Sequence, residues 1–556
     1  MIRRSLPILL LLAFFGLAMS SLTGDSPTMD EQNHIARGLA FLRTGDPRLS
    51  VEHPPLINVL AALPLLTESV TLPVDDWSWE AAEWYRFADL LLWHSQNDAD
   101  RMVFLARLPI LWLSLLLGAS LFRLTRAWFP AAVDRRWVDP ALVALMLFVF
   151  DPNLMAHSRY VTTDLGAAAL VFWSSAALWW AVGRRFSLPA VVGAGAVYGL
   201  ALSAKLSTLV FGPMLALLGL VALLSRWRAE PLYVRRVLLR FCVAYPVAAL
   251  LVVWAVFAFD WGPVSAGGLA VPMPVFWRGV QAILDQSGGG RPGFLLGRFS
   301  TEGFAAYFII ALGVKTPLAT LGLLGWAAAR LGRRMVRGDG PGARSHVGVS
   351  LWLVLPALGY LAVSSQSAVN LGYRHLLPML PLLFAFGAGQ FADLDLAGTV
   401  GWAGRLALGG LLVWVVGANL SIFPHYLSYF NEVVGPGNGY RVLVDSNIDW
   451  GQDLKRLRHW MQSEGQSRVK LAWFGSAPPQ YYGVDYDPLP GLPHHFDLWE
   501  NPPFNPAEPG PGTYAISVSM LQELHRRDED KTVFAWFRAR KPDDRVGYSV
   551  LIYEVP

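Results

Sequence analysis

Eight residues in the first 390 positions carry groups able to move a proton or hold a phosphate. Asp30 and Glu31 stand side by side in Asp30-Glu31-Gln32-Asn33-His34. Glu52 and His53 precede Pro54-Pro55-Leu56, Asp164 follows Thr162-Thr163, Lys205 interrupts a long apolar stretch, and Arg374 and His375 lead into Leu376-Leu377-Pro378. A carboxylate can take a proton from an incoming nucleophile. Lys and Arg can neutralise a phosphate, Arg through two parallel hydrogen bonds. Each feature alone has a plainer explanation. An acidic pair complements a helix N-terminus, and Glu52-His53-Pro54-Pro55 reads as a proline-opened amphipathic helix at a membrane interface. Asp164 caps a helix, Lys205 snorkels to water, and Arg374-His375 anchors a helix end. Together, at one face and a similar depth, they suit a reaction on a phosphate-bearing lipid.

The elements that would position these residues are membrane spans. Of the 556 residues 54% are hydrophobic and only 15% charged, with mean hydropathy +0.39, whereas soluble domains carry about 25% charged residues. Apolar runs of near-bilayer length occur at Met1–Leu22 and at about Val103–Phe122, Val138–Phe150, Leu165–Val182, Pro189–Ala204, Leu206–Leu224, Phe241–Phe259, Thr316–Ala329, Val349–Val363, Leu376–Phe391 and Leu406–Phe423, which predicts about eleven spans. The first is read as a retained span rather than a cleaved signal peptide. Basic residues at Arg3-Arg4, Arg123 to Arg136, Arg184-Arg185, Arg226 to Arg240, Arg330 to Arg344 and Arg405 fall in alternate loops, which makes those loops cytoplasmic. The other loops, with all eight residues above, then face outward. Twenty residues separate Arg185 from Lys205; at about 1.5 Å each this is roughly 30 Å, one bilayer core.

The architecture predicted is an all-α polytopic membrane domain over 1–423, with a large first outer loop at 23–102, followed by a small α/β extracytoplasmic domain over 424–556. That tail has soluble composition, with helix-like Asp453–Glu464, a Pro/Gly-rich stretch over Pro478–Gly512, and alternating segments at Lys470–Phe474, Thr513–Val518 and Val546–Glu554. Net charge is +4, but the basic residues are dispersed between apolar runs rather than gathered on one face, which excludes nucleic acid as partner. The single cysteine, Cys242, excludes intrachain disulfides and a cysteine-built zinc site.

The Asp30-Glu31 pair, His53-Pro54-Pro55-Leu56, Thr163-Asp164, Gly199-Leu200-Ala201-Leu202-Ser203-Ala204-Lys205 and Arg374-His375-Leu376-Leu377-Pro378 together resemble the GT-C glycosyltransferases. The chain is most similar there to family 39, the protein O-mannosyltransferases and aminoarabinose transferases that use phospholipid carriers. The resemblance covers nearly all of the first 390 residues. It implies transfer of a sugar from a polyprenyl-phosphate donor, with inversion, on the extracytoplasmic face of a bacterial inner membrane, the N-terminus being cytoplasmic. Under it Asp30 is the base and Glu31 supports it or binds the acceptor. Lys205, Arg374 and His375 hold the donor phosphate, and Glu52, His53 and Asp164 orient the site, bind the lipid carrier or hold a divalent cation. The string Asp445-Ser446-Asn447-Ile448-Asp449-Trp450-Gly451-Gln452-Asp453 resembles a signature of a bacterial subgroup and implies an acceptor cleft at Asn447 and Asp449. The residues alone read as a turn into a helix with one of these two as cap. The chain lacks the inserted MIR domain of the O-mannosyltransferases, so the acceptor is open between protein, lipid and glycan.

The rival from another class is a transporter or flippase of a lipid-linked sugar. Transporter sites lie near the bilayer midplane, between repeated and broken helices. These charges instead fall at span ends and in loops, and the chain shows no internal repeat.

Overall fold

The computed structural model describes residues 2–130, 138–337, 341–392, 398–491, 503–525 and 531–556. Arg135 and Arg136 of one basic loop, and 492–502 of the Pro/Gly-rich stretch, lie outside the described residues. The helices longer than two turns are α1 (Ile2–Leu22), α2 (Glu31–Thr44), α3 (Pro55–Ala62), α4 (Ala99–Trp128), α5 (Pro140–Val149), α6 (Asp164–Gly183), α7 (Leu188–Ala204), α8 (Phe211–Leu224), α9 (Pro231–Val256), α10 (Pro274–Gly289), α11 (Tyr307–Lys315), α12 (Leu318–Arg337), α13 (Pro341–Ser364), α14 (Leu380–Gly389), α15 (Gly398–Ser421) and α16 (Leu454–Ser463).

Among the described residues seven helices are long and apolar enough to cross a membrane: α1, α4, α6, α8 with the 3-10 turn before it, α9, α13 and α15. The number is eight when α11 and α12, bent by 114° at their break, are counted as one span. The protein is thus a multi-pass membrane protein. The eleven apolar runs are all at least partly helical, but α5 has 10 residues and α7 has 17, short of the roughly 20 that a span needs. The difference has a physical reason. Every residue of α14 is buried, as are most of α5 and α7, and a helix enclosed by protein is apolar all round whether or not it reaches both faces of a bilayer. By contrast α8, α9 and α15 present Leu217, Leu239 and Val413 outward, the surface expected against lipid.

Local sequence explains the key junctions. Asp139 and Asp151 accept hydrogen bonds from the amides of Ala141 and Leu154, each followed by proline in the first helical turn. Gly195 and Gly199 of α7 lie against α9. A Cβ on them would stand 2.3 Å from the Tyr245 carbonyl oxygen and 2.4 Å from that of Ala249, so only glycine permits this crossing. Gly38 of α2 meets the Asn58 carbonyl of α3 in the same way, at 2.0 Å. α6 and α7 are joined by a tight turn at Arg184–Ser187 and pack together. Two helices of similar length that double back bring the first residue of one beside the residue after the other, here Asp164 and Lys205.

The chain after α15 first runs as irregular, mostly buried backbone over 424–453. Asn447 ties it to the helices, accepting from the Tyr373 amide and donating to the Tyr307 hydroxyl, each at 2.9 Å. The break between α11 and α12 is covered by this segment. Asn431 donates to the Gly313 and Thr316 carbonyls, and Lys315 to those of Leu427 and Asn447. Two small hairpins, β1–β2 (Trp261–Pro263, Ala270–Pro272) and β3–β4 (Gly293–Leu295, Arg298–Ser300), flank α10. The tail holds a five-stranded sheet in order β6-β5-β7-β9-β8 (Tyr486–Pro488, Val469–Ala472, Gly512–Ser517, Val550–Val555, Asp544–Val546). β5 runs parallel to β6 and β7, and the remaining pairs are antiparallel. Leu454, Leu457 and Met461 of α16, at i, i+3 and i+7, pack on its Leu471, Val550 and Ile552. The fold is therefore a helical membrane part followed by a small α/β part.

Candidate active site

One end of the helical part encloses a cavity of about 890 Å³. Four elements from distant parts of the chain meet on its wall: the start of α2, the start of α6, the end of α7, and the 3-10 turn Tyr373–Met379 that leads into α14.

Their charged groups form a continuous chain. Asp30 is the N-cap of α2 but its side chain makes no capping hydrogen bond; its Oδ2 instead accepts from Arg374 Nη1 at 2.8 Å. Arg374 Nη1 lies 3.8 Å from Asp164 Oδ2, and the other oxygen of Asp164 is paired with Lys205 Nζ. Asp164 occupies the first turn of α6, with Thr163 as N-cap and no side-chain cap bond, so its carboxylate serves the cations rather than the helix end. Lys205 is the C-cap of α7. Arg374 also stacks over Trp450, 4.3 Å from the ring centroid, which fixes its plane.

Two cations against two carboxylates leave this group near neutrality, and the two histidines beside Asp30 on the wall are uncharged. Burial, helped by the charge of Arg37, lowers the His34 imidazole to about 4, and burial with the nearby cations takes His53 well below its ordinary value. The two rings meet edge-on at 4.8 Å. For Asp30, burial opposes ionisation, but Arg374 outweighs it and holds the carboxyl below the usual range. Asp445, across the cavity, lacks so close a cation, and burial raises it to about 6. Four buried nitrogens of wall residues have no hydrogen-bond partner among the described residues: Arg374 Nε, His375 Nε2, His53 Nδ1 and Arg37 Nη2. The two guanidinium nitrogens are donors that are costly to leave unpaired, and the imidazole nitrogens donate or accept according to the tautomer; a ligand rich in acceptor oxygens would satisfy the guanidiniums.

Of the residues singled out in the sequence, Asp30, Glu52, His53, Asp164, Lys205, Arg374 and His375 line the cavity. Glu52 accepts from Gln286 Nε2 at 3.0 Å and sits between Arg37 and Arg291. Three others do not reach the wall. Glu31 is fully buried behind Asp30 and does not line the cavity. Arg107 grips it through both oxygens at 2.8 and 2.6 Å, and the amides of Thr28 and Val161 donate to it. Asn447 is used up by the backbone ties described above. Asp449 accepts from Ser517 and from the Ser519 amide. Neither caps the following helix, whose N-cap is Asp453; the residue of this string facing the cavity beside Asp445 is Trp450. Sequence reasoning missed Arg37, Trp84, Tyr85, Arg291, Asp445 and Trp450. Only the last two lay in a segment that had drawn notice. Among the described residues no three His, Cys, Asp or Glu side chains gather as a metal ion would need.

Asp449 supports a pH prediction. Burial raises its carboxyl to about 7, so the fold favours the neutral form. The stability that form confers is present below the ordinary carboxyl range and is lost as pH rises through about 7. Asp449→Asn, neutral at every pH, therefore melts above the wild type at pH 8, and the gap closes towards pH 4. A gap independent of pH contradicts this.

No protein-family model matches the chain, and no curated protein matches it. Solved structures similar to it include ArnT from Cupriavidus metallidurans in the apo state, 13% identical with a TM-score of 0.49 over 99% of this chain and 98% of that one. They also include ArnT from the same organism bound to undecaprenyl phosphate, 14% identical with a TM-score of 0.47 over 98% and 97%.

Proposed function

We propose that this protein is an inverting glycosyltransferase of the bacterial inner membrane, moving a sugar from a polyprenyl-phosphate carrier to an acceptor on the extracytoplasmic face. The observation that carries the reading is the Asp30–Arg374–Asp164–Lys205 chain on the wall of an enclosed cavity at one end of the membrane helices. The sequence resemblance to the GT-C family rests on four of the same segments.

The donor phosphate competes with the two carboxylates for Arg374 and Lys205, and His375, on the same wall, adds a donor in the tautomer protonated at Nε2. Once a phosphate oxygen takes the Arg374 N–H that Asp30 had accepted, Asp30 loses the partner that keeps it weakly basic and becomes the base. The acceptor hydroxyl or amine gives its proton to Asp30 as its heteroatom bonds to the anomeric carbon. The bond from that carbon to the phosphate oxygen breaks, and polyprenyl phosphate departs with the electron pair. A phosphate ester leaves without prior protonation, so no second carboxylic acid is required, unlike glycoside hydrolysis. The flippase reading finds less support. The broken α11–α12 pair is the feature a transporter would use, yet its freed carbonyls are taken by Asn431 rather than left for a substrate.

Lys205→Ala removes a charge-assisted contact worth about 1.5–3 kcal/mol, so undecaprenyl phosphate should bind the full-length protein in detergent roughly tenfold to a hundredfold more weakly. Unchanged affinity, with the variant melting as the wild type does, sinks the phosphate assignment.

A further inference from the structure

We infer that the cavity holds a second anion subsite at Arg37 and Arg291, which takes a negatively charged group of the acceptor. The inference rests on the glycosyltransferase reading above. Arg37 lies on α2 and is 2% exposed. Its Nε donates to the Leu49 carbonyl at 2.9 Å and its guanidinium lies on the Trp84 ring at 4.1 Å. Thus fixed, it lines the cavity, and its buried Nη2 has no hydrogen-bond partner among the described residues. Arg291 enters from the segment after α10. Glu52 stands between the two, 3.9 Å from Arg37 Nη2 and 3.7 Å from Arg291 Nη2. Both separations exceed hydrogen-bond length, and the Glu52 oxygen nearer Arg291 already accepts from Gln286. One carboxylate against two guanidiniums leaves a surplus positive charge with unused N–H groups, the arrangement that recognises phosphate or carboxylate.

The position of the subsite identifies the ligand that supplies the anion. Asp30, His34 and Arg37 follow at i, i+4 and i+7 and share one face of α2, so Arg37 stands about 10 Å along the helix from the base. The phosphates of a diphosphate share a bridging oxygen, far too close to reach both cation pairs, so this is not the second phosphate of a donor. An inverting displacement places the nucleophile opposite the leaving phosphate. The acceptor therefore approaches Asp30 from the side away from Lys205 and Arg374, and its anion is a remote handle rather than the nucleophile.

The test uses the full-length protein in a neutral maltoside detergent with undecaprenyl phosphate saturating. Decyl phosphate and decanoate are titrated as probes. At least one should bind without displacing the carrier; preference for the phosphate points to a phosphorylated lipid acceptor, and preference for the carboxylate to an acidic glycan or peptide. Arg37→Gln and Arg291→Gln should each weaken the bound probe at least tenfold while leaving undecaprenyl phosphate affinity as it is. Arg291 is half-exposed at the rim, so its replacement reads out even if the Arg37 variant misfolds. Binding of neither probe, displacement of the carrier one for one, or wild-type probe affinity in Arg291→Gln overturns the inference. A Lys205→Ala variant that keeps full carrier affinity would instead count against the glycosyltransferase reading.

Discussion

Replacing Asp30 by Asn lowers sugar transfer about 10³-fold, near 4 kcal/mol of barrier, while undecaprenyl phosphate binds as tightly as before or a few-fold more tightly. The two halves of this result have one origin. Arg374 donates to Asp30 at 2.8 Å, and under the proposed mechanism the carrier phosphate must displace Asp30 from it. The amide removes the base and also removes the anionic competitor. A structural role for Asp30 predicts the opposite pattern, in which affinity and rate fall together. The distinguishing measurement is a split between rate at saturating donor and carrier affinity. The pH profile adds a check. Arg374 holds the carboxyl of Asp30 below the ordinary range, so Asp30 stays an anionic competitor down to about pH 5, and the ratio of carrier affinities between Asp30→Asn and the wild type should not change with pH above that point.

The second large effect concerns stability. Arg107 donates to both oxygens of Glu31 and to the carbonyls of Leu22, Asp25 and Ser26, with both side chains almost wholly buried. Arg107→Met strands the Glu31 carboxylate in the interior, and breaking one side of such a pair costs about 3–5 kcal/mol. Joined to Glu31→Met, the same change should recover part of the loss, since no unpaired charge is left. Recovery stays incomplete because three carbonyls lose their donor. The apparent melting temperature in detergent reads both variants. Additive losses in the double variant would mean that the pair does not act as a unit. Transfer should fall in both variants as well, because Glu31 follows Asp30 directly and its clamp sets where α2 begins.

The Asp30-Glu31 pair shows where sequence reading stops. Two adjacent carboxylates at a helix start point about 100° apart, and nothing local says which one meets the cavity. Arg107, 76 positions after Glu31, decides it. The same limit applies at Asn447, Asp449 and Trp450, where the aromatic residue faces the cavity and the two polar ones are consumed by Tyr373, Tyr307, Ser517 and Ser519. Arg37, Trp84 and Arg291 gave no local signal, since an arginine in a large loop reads as a solvated charge until α2 and the segment after α10 are brought together. That these residues meet at one end was more legible. Helix length and an antiparallel turn put Lys205 level with Asp164 by arithmetic alone, and the same reasoning brought Arg374 to that end. Span number was less so, because α5, α7 and α14 owe their hydrophobicity to burial in protein as much as to any contact with lipid.

The most direct test supplies the full-length protein, in liposomes, with a polyprenyl phosphate carrying a labelled sugar, together with an envelope extract as source of acceptor. Label should pass to an acceptor with one polyprenyl phosphate released per sugar moved, and Asp30→Asn should abolish that transfer. Label that crosses the bilayer still joined to its carrier, with no transfer in either protein, would contradict the account.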